Sequence, residues 1–433
     1  MNAPPSPSSR QFAQDAAQAQ QLEVAVIGGG QAGLSISWYL KQAGIEHRVF
    51  EKHRIGHDWR SARWDAFCLV TPNWQCRLPG YPYPGNDPHG FMLKDEIVAY
   101  LEGYAASFEP PLLEHTTVFR LRRLPNGVFE LQTDAGIWQA AQVVIATGGY
   151  QRPMIPRAAE RLPAEISQIH SSEYRNPQSL RDGAVLVVGT GQSGCQIAED
   201  LHLAGRQVHL AVGSAPRSPR QYRGRDVTDW LTDSGYYDIP IDRHPQGAAV
   251  REKTNHYLTG RGGGHEIDLR QFALEGMRLY GRFEDIDGAH IRFAADLREH
   301  LDNADAAAER IKDSIDQYIA EAGIDAPTEA RYVPVWQPGE EARVLDCQAA
   351  GISTIVWSIG FLTDYRWVEL PIFDGGGRPQ HRRGVTELPG VYFLGLPWMN
   401  TWGSGRFADV GKDAEYLFQH IARRRSIPLA RAV

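Results

Sequence analysis

Apolar and polar positions follow two patterns along this chain: short apolar runs that stop at glycine, and longer stretches with helical spacing. Residues 24–27 form an apolar run that enters Gly28-Gly29-Gly30-Gln31-Ala32-Gly33. Helical spacing follows to about Ala43, with Gly44 as C-cap, and residues 47–51 read as the next strand. The order then recurs. Residues 184–188 are apolar and lead into Gly189-Thr190-Gly191-Gln192-Ser193-Gly194; a helix to about Ala204 and a strand over 207–212 follow. A β-glycine-α-β unit that occurs twice predicts two dinucleotide-binding folds in one chain.

The rest of the pattern is less regular. Residues 52–89 are loop-like but rich in Trp, Tyr and Phe, which argues against disorder and for function. A helix is predicted over 93–106, and strands over 116–121, 128–132 and 142–146. Helices are predicted over 270–280 and 305–322, strands over 354–360 and 391–395, and a final helix over 405–421. The fold class expected is α/β: two dinucleotide-binding Rossmann-like domains, for FAD and NADPH, with a helical insertion in the second. The expected division is a disordered tail at 1–21 and a first part of the FAD domain at 22–175. An NADPH domain follows at 176–337 with its insertion at 221–337, and the FAD domain is completed at 338–425.

Composition narrows the function. With 433 residues, 42% hydrophobic and 22% charged, the chain has the make-up of a multi-domain globular protein. Its net charge of −7 argues against nucleic acid and anionic membranes as partners. No apolar run approaches the ~20 residues of a membrane span, and no secretory signal is evident. Cys68, Cys76, Cys195 and Cys347 form neither C-x-x-C nor a zinc pattern, so a reducing, cytoplasmic setting is expected, with no metal site and no reactive dithiol. The basic run Arg423-Arg424-Arg425 suits the end of a helix better than a nucleic-acid patch.

Each glycine of the first motif has a distinct expected task. Gly28 makes the tight turn, Gly30 lets the backbone approach a pyrophosphate, and Gly33 lets helix and sheet pack closely. The helix N-terminus at Gln31 and Ala32 offers free N–H groups to the phosphates. Glu51, at the end of the second strand, is placed to accept hydrogen bonds from an adenosine ribose. Gly189, Gly191, Gln192, Ser193 and Gly194 repeat this arrangement. The second unit has no acid at the end of its second strand, where Val212-Gly213-Ser214 stand, and Arg217 and Arg220 follow. A missing carboxylate and nearby arginines favour the 2′-phosphate of NADP over NAD, with Ser214, Arg217 and Arg220 as the expected contacts.

The order of motifs resembles the class B flavoprotein monooxygenases, including flavin-containing and plant indole-3-pyruvate monooxygenases. Glu51-Lys52 followed by Trp59-Arg60, the segment from Pro72 to Pro84, Ala146-Thr147-Gly148 and His170-Ser171-Ser172-Glu173-Tyr174 carry the likeness. The chain departs from that pattern at Ala164, Ile166 and Gly213. The segments His57-Asp58-Trp59-Arg60, Tyr222-Arg223-Gly224-Arg225-Asp226 and Thr401-Trp402-Gly403-Ser404-Gly405-Arg406-Phe407 resemble bacterial FAD-dependent oxidoreductases encoded in nitrilase gene clusters linked to cyanide assimilation. The resemblance implies FAD contacts from Lys52, Trp59, Arg60, Val118, Ala146, Thr147 and Gly148. It also implies an NADPH-reduced flavin that reacts with O₂ to a C4a-peroxyflavin and oxygenates a small organic substrate, nitrogen-containing compounds among the candidates. A homodimer is compatible with that chemistry.

Such chemistry needs a dry, apolar chamber more than an acid–base pair. Trp59, Asn73, Trp74, Trp398 and Trp402 are the candidates to line it, with Asn73 as the catalytic candidate through its side-chain amide. The final helix, beginning near Gly405, is expected to direct its N-terminus at the flavin. His170 is expected to be structural. A flavin dehydrogenase or oxidase, and a non-catalytic redox or nucleotide sensor, remain the alternatives to a monooxygenase.

Overall fold

The structure, a computed structural model, describes residues 19–425. Most of the expected tail lies outside these residues. Its last two positions, Gln20 and Gln21, already belong to the first strand.

The first unit runs β1 (Gln20–Ile27), α1 (Gln31–Gln42), β2 (His47–Phe50), α2 (Lys94–Phe108), β3 (Leu112–Leu113), β4 (Val118–Arg123), β5 (Phe129–Thr133) and β6 (Gly136–Ile145). The second runs β7 (Ser167–His170), β8 (Ala184–Val188), α3 (Gln192–Leu203), β9 (Val208–Ala211), β10 (Arg278–Tyr280), α4 (Leu297–Ala322) and β11 (Ile352–Trp357). The chain returns through β12 (Val368–Glu369) and β13 (Val391–Phe393) to α5 (Val410–Arg425).

The first sheet has eight strands in the order β12-β4-β5-β6-β1-β2-β3, with β13 also paired to β6. Its β3-β2-β1-β6 part is parallel, with Val26 opposite both Val49 and Val144. The β6-β5-β4 part is antiparallel. The second sheet has five strands, β7-β11-β8-β9-β10, all parallel. Val185–Val188 on β8 are essentially inaccessible to solvent, as a strand covered on both faces must be.

Sheet membership places the crossings between units differently from the expected division. β7 belongs to the second sheet, so the chain crosses before residue 167 rather than at 176. β11 is an inner strand of the same sheet, so the return comes after residue 357 rather than at 338. The two crossing segments run side by side, with Phe361 opposite Pro153 and Leu362 opposite Arg152 in an antiparallel pair.

The insertion is not wholly helical. Helix Leu269–Leu274 ends before Gly276, which sits at φ +106°, and the next residues form β10. A helix is expected over 270–280, but here the backbone pairs in parallel with β9, His209 opposite Arg278 and Ala211 opposite Tyr280. Strands Phe283–Asp287, His290–Phe293 and Val344–Asp346 form a further small antiparallel sheet around the long helix α4. The final helix begins at Val410, not at Gly405. Gly405 has φ +77°, and a Cβ on it would stand 2.7 Å from the Gly395 carbonyl oxygen, so it closes a turn instead. Arg423, Arg424 and Arg425 lie inside the last turn of α5.

Candidate functional site

Both glycine loops sit at the C-terminal ends of their parallel strands, where open α/β sheets bind ligands. In the first loop, Gly28 has φ +109°, and a Cβ on it would lie 2.5 Å from the Ala146 carbonyl oxygen. A Cβ on Gly33 would lie 1.8 Å from the Gly28 carbonyl oxygen. Gly30 is different: nothing in the protein stands within 4 Å of its missing Cβ. Two glycines are thus demanded by packing, and the third leaves room for something outside the chain.

The second loop repeats this division. A Cβ on Gly189, at φ +102°, would meet the Ser358 carbonyl oxygen at 2.7 Å, and one on Gly194 would meet the Gly189 carbonyl oxygen at 1.9 Å. On Gly191 the nearest atom would be a Thr254 methyl at 3.9 Å. Gly30 and Gly191 are the N-caps of α1 and α3, and neither helix has a side-chain cap. Their first N–H groups therefore face the same two openings. The donors and the space fit two dinucleotide pyrophosphates.

The second strands end in different chemistry. Glu51, one residue past β2, accepts hydrogen bonds from the Gly29 N–H at 2.7 Å and the His53 N–H at 2.8 Å. Its carboxylate is locked beside the first loop, with exposed Lys52 next to it. In the second unit this bracing falls to Thr190. Its hydroxyl accepts from the Gly213 N–H at 2.9 Å and donates to the Gly213 carbonyl at 3.2 Å. No carboxylate occupies that position, and Ser214 beyond it is exposed.

Ala146, Thr147 and Gly148 extend β6 alongside the first loop. Ala146 N–H donates to the Ile27 carbonyl at 2.8 Å, and Gly148 turns the chain at φ +67°. Gln151, which the sequence did not single out, donates to the Thr147 hydroxyl and the Gly148 carbonyl, both at 2.9 Å. Its own carbonyl accepts from the Asp364 N–H, tying the loop to the returning segment. Gln31 donates to the Gly405 carbonyl at 3.1 Å, and Ala32 lies under Gly395. Gln192 donates to the Leu258 carbonyl, while Ser193 stays half-exposed on the first turn of α3. Val118 stands apart from these: it pairs with Thr133 on β4, and it is Thr116, two residues earlier, whose N–H reaches the Glu51 carbonyl.

The tryptophans expected to line a chamber make separate contacts. Trp59 is half-buried on the short helix His57–Ser61 and stacks on Phe407 at 5.7 Å between ring centroids. The Arg63 guanidinium lies 5.1 Å from the same ring. Trp402 stacks on Tyr237 at 4.0 Å and carries the Arg406 guanidinium at 4.3 Å. Trp74 directs its indole N–H to Asp229 at 3.1 Å, and Trp398 is buried at φ +51° with its ring against His244.

Four expectations need correction. Arg217 does not wait for a phosphate. It is 2% exposed, 3.1 Å from Asp305 and within 3.8 Å of both Asp268 and Glu266, with its guanidinium over the Tyr332 ring. Arg220 is equally buried, paired with Asp226 at 3.1 Å and donating to the Val70 and Thr259 carbonyls. Both side chains are held by internal partners, most of them far away in sequence. Asn73 is buried and its amide is engaged at both ends, donating to the Asp87 carbonyl at 2.9 Å and accepting from the Met92 N–H at 2.7 Å. It braces two loops instead of facing a reactant. Arg60 points outward to Glu102 at 2.8 Å.

The N-terminus of α5 is also occupied, by carboxylates. Asp409 precedes it and pairs with Arg77 at 3.2 Å and Lys412 at 3.0 Å. Asp413, in its first turn, is buried, and desolvation pushes its carboxyl up to about 6 despite Ser404 and Arg383 nearby. Two acids already complement the helix dipole there. His170 is fully buried and bridges the Gly360 carbonyl and the Ser172 hydroxyl, a structural position at the crossing.

Residues 25–233 match the family described as pyridine nucleotide-disulphide oxidoreductase. The four cysteines of this chain are buried and not disulfide-bonded. The oxidoreductase CzcO-like of Geobacillus kaustophilus is 35% identical over 404 residues, covering 92% of this chain and 98% of that protein. The indole-3-pyruvate monooxygenase YUCCA1 of Oryza sativa subsp. japonica is 30% identical over 190 residues, 43% of this chain and 47% of that one. Among solved structures, a flavin-containing monooxygenase from Stenotrophomonas maltophilia superposes with a TM-score of 0.64 at 17% identity, covering 94% of this chain and all of that one.

Proposed function

The chain belongs to the CzcO-like oxidoreductases, a class B flavoprotein monooxygenase-like family, and on that premise we propose that it is an FAD- and NADPH-dependent monooxygenase acting on a small organic molecule. The observation that carries this reading is the paired vacancy at Gly30 and Gly191, each before an uncapped helix N-terminus.

FAD is assigned to the first cradle. Gly28–Gly33 and the N-terminus of α1 would take its pyrophosphate, Glu51 its adenosine ribose, and the segment Ala146–Gly148 the run toward the ring. NADPH is assigned to the second cradle. Gly189–Gly194 and α3 would take the pyrophosphate, and the carboxylate-free end of β9 at Gly213 and Ser214 supports a 2′-phosphate over a free ribose. Bound there, FAD would supply the redox chemistry between the nicotinamide and O₂.

The chain's own part is to bind, orient and exclude water. Glu51 is prealigned by two backbone donors, so its carboxylate needs no reorganisation on binding. Trp59, Phe407 and Phe67 form an apolar wall beside the first cradle. The paired crossing segments at Pro153 and Phe361 set the spacing of the two cradles.

The test follows the oxygen. After anaerobic reduction by NADPH, the FAD-loaded protein is mixed with O₂ while flavin absorbance and hydrogen peroxide are followed together. A monooxygenase releases peroxide seconds after O₂ has been consumed. Release in step with O₂ consumption would instead assign an oxidase.

A further inference from the structure

Two half-buried guanidiniums, Arg63 and Arg406, lie over aromatic rings with no carboxylate within ion-pair distance. Among the described residues, every other arginine set over an aromatic ring is matched by a carboxylate: Arg217 by Asp305, Arg220 by Asp226, Arg225 by Asp233, Arg331 by Asp316 and Arg383 by Asp413. Arg63 and Arg406 have no ion pair at all. Arg63 donates to the neighbouring Ala62 carbonyl at 2.8 Å. Arg406 is held by Asn255 at 2.8 Å and by the Trp402 carbonyl.

The two lie along one wall. Arg63 covers Trp59, Trp59 stacks on Phe407, and Arg406 is the next residue and covers Trp402. Tyr150, just past Gly148 at the edge of the first cradle, bears electrostatically on both guanidiniums. Desolvation pulls both arginines below their ordinary range, with Asp58 opposing the shift at Arg63, and neither guanidinium has a carboxylate in ion-pair contact. A protein that holds such charges oriented by neutral groups leaves their strongest interaction to a ligand.

The geometry points to an anion subsite formed by Arg63 and Arg406, so that the substrate is a small organic carboxylate whose apolar body lies on the aromatic wall. This rests on the reading above, because it takes the chamber to be the substrate's. Arg406 is the principal anchor: it is oriented at both ends of its guanidinium, and its partner Trp402 is braced by Tyr237. Arg63 supplies a second positive charge across the Trp59 ring.

The probes are benzoate and its neutral isostere benzamide, titrated calorimetrically into the purified protein with and without NADP⁺. The wild type is expected to bind benzoate about tenfold or more tightly than benzamide, the scale of one charge-assisted contact. Arg406→Gln is expected to abolish that preference, Arg406→Lys to keep part of it, and Arg63→Gln to reduce it. Arg123→Gln, at the exposed end of β4, is expected to leave it intact. Equal binding of the two probes by the wild type would overturn the proposal. So would a loss of NADP⁺ affinity in Arg406→Gln as large as the loss for benzoate, since that would give the guanidinium to the cofactor's phosphates. Failure of the flavin reading is visible separately, as absence of FAD binding or of reduction by NADPH in the wild type.

Discussion

Gly30→Ser sets fold and ligand against each other. Gly30 is the N-cap of α1 with φ −80° and ψ −172°, extended backbone that any residue adopts. No protein atom lies within 4 Å of its absent Cβ. Serine is among the best N-cap residues and glycine is only slightly worse, so the substitution is expected to leave folding unchanged or to stabilise it by roughly a few tenths of a kcal/mol. A pyrophosphate over the same position meets a new hydroxymethyl group and is pushed off the N–H donors. Each lost hydrogen bond to a charged phosphate costs about 1.5–3 kcal/mol, so losing one weakens FAD roughly 10- to 150-fold. Flavin-stripped protein is titrated with FAD by fluorescence, and its thermal unfolding is recorded without flavin. Gly33→Ala is the contrast, since its Cβ would overlap the Gly28 carbonyl and destabilise the fold itself. Wild-type FAD affinity in Gly30→Ser would refute the reasoning, and so would a large loss of stability without flavin.

The equivalent Gly191→Ser is expected to weaken NADPH in a titration of the FAD-loaded protein by a similar factor while FAD stays bound. Glu51→Ala strips the Gly29 and His53 N–H groups of their acceptor; it is expected to cost about 1–3 kcal/mol in denaturant unfolding and to weaken FAD as well. Arg217→Met removes the countercharge of a buried acidic cluster, so unfolding is expected to be easier by roughly 3–5 kcal/mol, with no selective loss of NADPH over NADH. Selective loss of NADPH would return Arg217 to the 2′-phosphate. Asp413 has its carboxyl raised from 3.8 to about 6 in the fold. The folded state holds that proton longer than the unfolded state, so stability is greatest below pH ~4 on this account and falls as pH rises through ~6, by roughly 3 kcal/mol. Asp413→Asn is expected to raise the melting temperature at pH 8 relative to wild type and to give no such gain near pH 4.

The glycine loops were legible because their geometry is local. A turn, a close approach and a helix start need particular residues at fixed spacing, and Gly28, Gly30 and Gly33 satisfy all three within six positions. Glu51 was legible for the same reason, one strand away. Arg217 and Arg220 were not, because their true partners, Asp305 and Thr259 among them, are brought near only by the insertion's fold. Asn73 misled through its residue type: an amide in an aromatic loop looks reactive until Asp87 and Met92 take up both its ends. β10 was hidden because a strand of three residues is too short to outweigh the helical run before it. Arg63 had a faint signal, standing four residues past Trp59, but only its place over the Trp59 ring without an ion pair makes it a candidate for the proposed subsite.

The central claim is that two dinucleotide cradles on one frame exchange a hydride, and its most direct test is anaerobic. FAD-loaded protein is mixed with NADPH, and in parallel with NADH, while the flavin's visible absorbance is followed in a stopped-flow instrument. The account predicts complete bleaching by one equivalent of NADPH, faster than with NADH at equal concentration. A protein that binds FAD at Gly30 but keeps its flavin oxidised under excess NADPH would contradict it.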